Sequence, residues 1–167
     1  VQESPMSFVC ELNDVQLVGD RAIPQTKEGK FVLEEMGTDS MLKSRVSSFF
    51  ASLNTREKIQ VISRLFSNEK DNHYSEPLIN LVPRHGGEHN NFINYGHWIT
   101  EDLPRLRAYE EYHANTGRKP ALLIKKDPPS WMTDTLQLLG FSPSDWIEWD
   151  GTEATVSRLV IPKLSYV

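Results

Sequence analysis

The chain has 167 residues, 38% hydrophobic and 25% charged, enough to bury one core and ordinary for a globular fold. A formal net charge of −5 argues against a binder that works by neutralising nucleic-acid phosphates, so no nucleic-acid partner is expected. Cys10 is the only cysteine and cannot form an internal disulfide; its alternating apolar neighbourhood predicts a small buried side chain. No apolar run approaches the roughly 18 residues of a membrane span, and the N-terminus lacks the basic-then-apolar pattern of a secretory signal. A cytoplasmic or membrane-peripheral product without a transmembrane segment is the expectation.

Four short alternating segments open the chain: Ser7 to Leu12, Val15 to Gly19, Arg21 to Gln25 and Lys30 to Glu34. Turn chemistry at Asn13-Asp14, Gly19-Asp20 and Glu28-Gly29 separates them, and the pattern predicts a small antiparallel meander over residues 1–36. From Asp39 the period becomes helical through Met41, Leu42, Val46, Phe49, Phe50 and Leu53. Asn54 with Glu57 then resembles a capping pair ahead of Ile59, Ile62, Leu65 and Phe66, which predicts a second helix. Asn68 to Tyr74 reads as a polar loop. Leu78 to Val82, stopped by Pro83, reads as a buried strand.

A loop with Gly86, Gly87, Asn90 and Asn91 then leads to the central helix, which opens at Asn94 and stops at Asn115-Thr116-Gly117. Ala121 to Ile124 is a second buried strand. Pro128-Pro129-Ser130 starts a helix through Trp131, Leu136 and Leu139 that closes at Gly140, and Trp146 to Trp149 and Val156 to Ile161 are further strand candidates. Alternating strands and helices over residues 37–167 predict an α/β unit: a Rossmann-like parallel sheet with flanking helices, carrying its site beyond the carboxyl ends of the strands.

At about 100° per residue, His97, Glu101 and Arg105 fall within an arc of about 80°, beside an apolar stripe of Trp98, Ile99, Leu103, Leu106 and Tyr109. An imidazole, a carboxylate and a guanidinium one turn apart can orient a proton acceptor, and the three are expected to converge on an open cleft at the rim of the sheet. The plainer alternative is an exposed Glu101–Arg105 pair contributing a few tenths of a kcal/mol. Asp102 projects toward the apolar stripe and needs a buried partner or a rotated helix. Pro104 removes a backbone donor, so a kink or local break is expected beside the site.

Other chemistries have weaker signals. His85-Gly86-Gly87-Glu88-His89 has the spacing of one zinc peptidase class, but that motif needs a helix, and each glycine costs a helix about 1 kcal/mol relative to alanine. The segment is expected to be a loop, with no metal. No Gly-x-Ser-x-Gly elbow and no glycine-rich phosphate loop occurs. Lys125 and Lys126, before a helix start, either attract an anion or solvate a strand end.

Asn94-Tyr95-Gly96-His97-Trp98, with Glu101 and Leu103-Pro104-Arg105, closely resembles the Asn-x-x-His-Trp-x-x-Asp/Glu-x-Leu-Pro-Arg signature of glycosyltransferase family 61, including its capsular polysaccharide type enzymes. A weaker likeness runs from Leu12 to Leu164, through Gly86-Gly87, Asn90-Asn91, Leu138-Leu139-Gly140 and the segment Ser157 to Pro162. The resemblance implies the N-terminal, acceptor-side lobe of a GT-B enzyme that transfers a sugar with inversion and without a metal. It implies Glu101 as general base, His97 as its orienter or an acceptor ligand, and Asn94, Arg105, Asn91 and Tyr95 as residues that bind substrate or shape the pocket. Many relatives carry Asp at the position of Glu101. The implied partners are a glycan or glycolipid acceptor and a nucleotide-sugar donor, a co-substrate and no resident cofactor, bound mainly by a C-terminal lobe expected to lie beyond this chain. The rival from another class is a non-catalytic carbohydrate-binding or assembly module with Trp98, Trp131, Trp146 and Trp149 as stacking surfaces; exposed, coplanar Trp98 and Trp131 rings would favour it.

Overall fold

The computed structural model describes residues 8–30, 32, 72–83 and 93–163. The helices expected between residues 39 and 66 and the loop with His85, Glu88, His89 and Asn91 lie outside the described residues.

Six strands, β1 (Phe8–Val18), β2 (Ile23–Gln25), β3 (Asn72–Asn80), β4 (Ala121–Lys125), β5 (Trp146–Trp149) and β6 (Ala154–Lys163), form one mixed sheet in the order β2-β1-β6-β3-β4-β5. β6, β3, β4 and β5 run parallel, and β1 is antiparallel to both β2 and β6. The α/β expectation therefore holds at the level of class, with the first strands built into the same sheet as the parallel ones.

Two local readings are corrected. The segments expected as two strands fall on one, Phe8–Val18, because β6 pairs across the expected turn: Asn13 faces Arg158 and Val15 faces Val156. The turn chemistry shows instead in the backbone of Asp14, at φ 53°, within an unbroken register. Asn72 to Tyr74, expected in a loop, begin β3 and pair with Ala154 to Val156. Pro77 sits where the β3–β6 register shifts, just before pairing with β4 starts at Leu78, so its missing N–H falls at an interruption of the ladder.

In a flat sheet the β1–β2 turn would lie four strand spacings, about 19 Å, from β5. Instead Trp149 Nε1 donates to the Gly19 carbonyl at 2.9 Å, and Asn80 Nδ2 donates to the Ala22 carbonyl at 2.9 Å. The sheet therefore curls, and the hairpin closes over one face. Val15, Leu17, Ala22, Leu78, Val82, Leu123, Trp149, Val156 and Leu159 form the core beneath it.

The opposite face is covered by helices. β3 connects to a helical rod, residues 95–116, and β4 connects to a second helix, Ser130–Leu138. Ile79, Leu122, Ile124 and Val160 of the sheet pack there against Trp98, Leu106, Ala108, Tyr112, Met132 and Leu136. The rod ends at Gly117, whose φ of 71° lets its N–H return to the His113 carbonyl, as the stop signal predicts.

Candidate active site

The site begins where β3 leaves the sheet. Beyond the loop, Asn94 caps the rod: its Oδ1 accepts from the N–H of Gly96 at 2.8 Å and of His97 at 3.3 Å. The rod then changes pitch, from α1 (Tyr95–His97) to a π turn (Trp98–Asp102), a 3₁₀ turn (Leu103–Leu106) and α2 (Arg107–Thr116). Pro104 has no N–H to return to the Thr100 carbonyl, and the Leu103 N–H reaches back to Trp98 instead. The break expected from Pro104 lies within the candidate site.

His97 Nδ1 lies 2.6 Å from Glu101 Oε1, with side chains 40% and 32% exposed. The pair is joined, yet open to solvent. Arg105 parts from the row: it is 1% exposed, and its Nη1 donates to the Asn80 carbonyl at the carboxyl end of β3. Of the three groups expected in one cleft, two meet half-exposed and the third is packed inward. Asp102 is also buried, as its position on the apolar stripe predicts.

Asn80 is the component that the sequence reading missed. Its Nδ2 holds Ala22, its Oδ1 accepts from the Val82 N–H at 3.0 Å, and its carbonyl receives Arg105. It thereby ties the covering hairpin and the strand end to the rod that carries His97 and Glu101. The available signal was one polar residue inside the apolar run Leu78-Ile79-Asn80-Leu81-Val82.

Tyr95 is 54% exposed and packs edge-on against Trp131 at 5.2 Å. Trp98 is fully buried, donates from Nε1 to Thr135 Oγ1 at 2.9 Å, and lies at 62° to the plane of Trp131. Trp149 is buried too. The exposed coplanar Trp98–Trp131 surface of a stacking module is not formed. Lys125 ends β4 and Lys126 follows it, where the Lys126 N–H bonds the Trp149 carbonyl and Glu148 accepts from the Asp127 N–H.

A separate open cleft of about 320 Å³ lies between Val9, Cys10 and Glu11 of β1 and Tyr112, Asn115 and Thr116 of α2. Cys10 is half-buried there, less enclosed than expected. The Tyr112 hydroxyl donates to Glu11, and burial, with Glu11 beside it, raises the phenol above its ordinary range. Among the described residues no three His, Cys, Asp or Glu side chains gather as a metal site, and no helix is long and apolar enough to cross a membrane. Compared with protein-family models, curated proteins and solved structures, the chain finds no match.

Proposed function

We propose that this chain is the acceptor-side lobe of an inverting, metal-independent glycosyltransferase of the family 61 type, moving a sugar from a nucleotide-sugar to a hydroxyl of a glycan or glycolipid. The observation that carries the reading is the His97–Glu101 contact of 2.6 Å, half-open to solvent, on the helix that follows a parallel strand. Direct displacement at a sugar's anomeric carbon needs a hydroxyl stripped of its proton as the new bond forms. An imidazole and a carboxylate held together provide for that proton and for the charge it brings. The buried Arg105–Asn80 bond holds the helical rod that carries the pair to the strand end.

On this reading the nucleotide belongs to a second, GT-B lobe, and the enzyme works where nucleotide sugars are available, in the cytoplasm or at its membrane surface. This lobe alone supports little or no transfer. It should nevertheless bind acceptor. Saturation-transfer NMR with a panel of glycans is expected to give contacts that disappear in His97→Gln and Glu101→Gln, while uridine and guanosine diphosphates give none. Wild-type turnover by the full-length protein carrying both substitutions would end the proposal.

A further inference from the structure

We infer that, in the proposed transfer, His97 Nε2 takes the acceptor proton and Glu101 is the positioning residue that fixes the imidazole, the reverse of the roles implied by the resemblance. This assignment rests on the transferase reading. It comes from which ring nitrogen faces the carboxylate.

Nδ1 is the atom 2.6 Å from Glu101 Oε1. An ionised carboxylate only accepts hydrogen bonds, so Nδ1 must carry the proton, and in a neutral imidazole the lone pair then sits on Nε2. A separation this close suits a charge-assisted contact to the carboxylate. Three further features point the same way. The imidazole is the more exposed of the two side chains. The cap at Asn94 holds the His97 backbone N–H, so the backbone that carries the ring is anchored at the helix start. Finally, a proton on Nε2 turns the contact into an imidazolium–carboxylate pair, which strengthens as charge develops; a proton on Glu101 would remove the attraction.

In the step itself, the acceptor oxygen forms a bond to the anomeric carbon while the bond from that carbon to the leaving phosphate oxygen breaks. That bond's electron pair departs with the nucleotide. The hydroxyl proton goes to Nε2, and Nδ1–H stays bonded to Glu101. No oxidant or reductant enters.

Long-range ¹H–¹⁵N NMR of the imidazoles in this chain, with His97 assigned by its loss in His97→Gln, is expected to show Nδ1 protonated and Nε2 bare, a preference that fades in Glu101→Gln. A proton on Nε2 of the wild type would overturn the inference and leave Glu101 as the base. In the full-length protein, His97→Ala should lower turnover about 10²- to 10⁴-fold and recover at least about tenfold with added imidazole. Glu101→Gln should lower kcat with little change in acceptor KM. Rescue of Glu101→Ala by formate, with no imidazole rescue of His97→Ala, would also overturn it. If neither substitution slows transfer, the transferase reading fails whichever tautomer is found.

Discussion

Asn80 and Ala22 are joined side chain to backbone at 2.9 Å across 58 positions of sequence, although the strands that lead to them are not neighbours in the sheet. The same amide accepts from the Val82 N–H, so one buried side chain satisfies a donor and an acceptor that would otherwise be desolvated without partners. Two buried bonds at about 1 kcal/mol each, plus the cost of the groups left behind, put Asn80→Ala at about 2–4 kcal/mol. Urea denaturation should show this loss. Because Asn80 also sits beneath Arg105, the variant should disturb His97 and Glu101 resonances as well; a midpoint within about 0.5 kcal/mol of wild type would show that the hairpin closes without this tie.

Gly151 lies on the other side of that closure. Its φ is 89°, and an added Cβ would stand 2.7 Å from Asp20 Oδ1. Two costs compete, and magnitude separates them. Asp20 is exposed and can rotate its carboxylate away, whereas the backbone conformation cannot be relieved without moving the turn. Gly151→Ala is therefore expected to cost about 1–3 kcal/mol, with Asp20→Ala recovering less than about 0.5 kcal/mol of it in a double-mutant cycle.

The parts legible in the sequence were those written in local patterns. Leu78 to Val82 and Ala121 to Ile124 are apolar runs of strand length, Gly117 is a stop that only a left-handed residue makes, and the spacing of His97 and Glu101 alone places them side by side. Arg105 was misplaced for a definite reason. A wheel of about 100° per residue sets Arg105 at the edge of the apolar stripe, about 20° from Trp98, and does not say on which side of that edge a long side chain packs; here it turns inward to the Asn80 carbonyl. The proline beside the change of pitch was visible; the inward path of the guanidinium was not. The long pairing of β1 with β6 was illegible because alternation marks a strand without naming its partner, so Asn13-Asp14 looked like a hairpin turn when β6 carries the chain straight through.

Trp98 joins the site to the core under it. Its ring is fully buried and its Nε1 donates to Thr135 Oγ1 on the second helix. Trp98→Phe removes that bond and part of the ring, and is expected to cost about 2–3 kcal/mol; Thr135→Ser keeps the hydroxyl and should cost about 1 kcal/mol or less. Thermal melts of the pair test the order. Equal losses would mean that packing around the methyl of Thr135, and not the indole bond, sets the stability here.

Tyr112 and Glu11 give the fold a pH limit at the alkaline end. Burial, and then Glu11 beside it, raises the Tyr112 hydroxyl above the ordinary phenol value. The folded state therefore holds this proton more tightly than the unfolded state. The contribution is complete below the unfolded pKa of about 10 and is lost as pH rises through the higher folded value. Stability followed by denaturant midpoint should fall more steeply above pH 10 in the wild type than in Tyr112→Phe. At neutral pH the same substitution should cost about 1–2 kcal/mol, since it takes a charge-accepting bond from Glu11, whose other charged neighbour, Arg158, stands 3.9 Å away.

Glu101→Asp asks whether the carboxylate's length matters in this chain. Side chains four residues apart on an α-helix have Cβ atoms about 5–6 Å apart, and the wider turn between Trp98 and Asp102 changes that spacing at the position where Glu101 must reach back to His97. The contact is 2.6 Å with glutamate in place. Removing one methylene withdraws the oxygens by about 1 Å, beyond the range of a good hydrogen bond unless the turn itself tightens. The variant is therefore expected to lose the fixed Nδ1 proton in the imidazole spectrum and, if the proposed transfer holds, to slow it about 10- to 100-fold, with folding stability within about 0.5 kcal/mol because both side chains are partly exposed. Unchanged spectra and turnover would mean that the π turn is compliant enough to bring a shorter acid into place, and that the pitch change serves to bury Arg105 and not to aim Glu101.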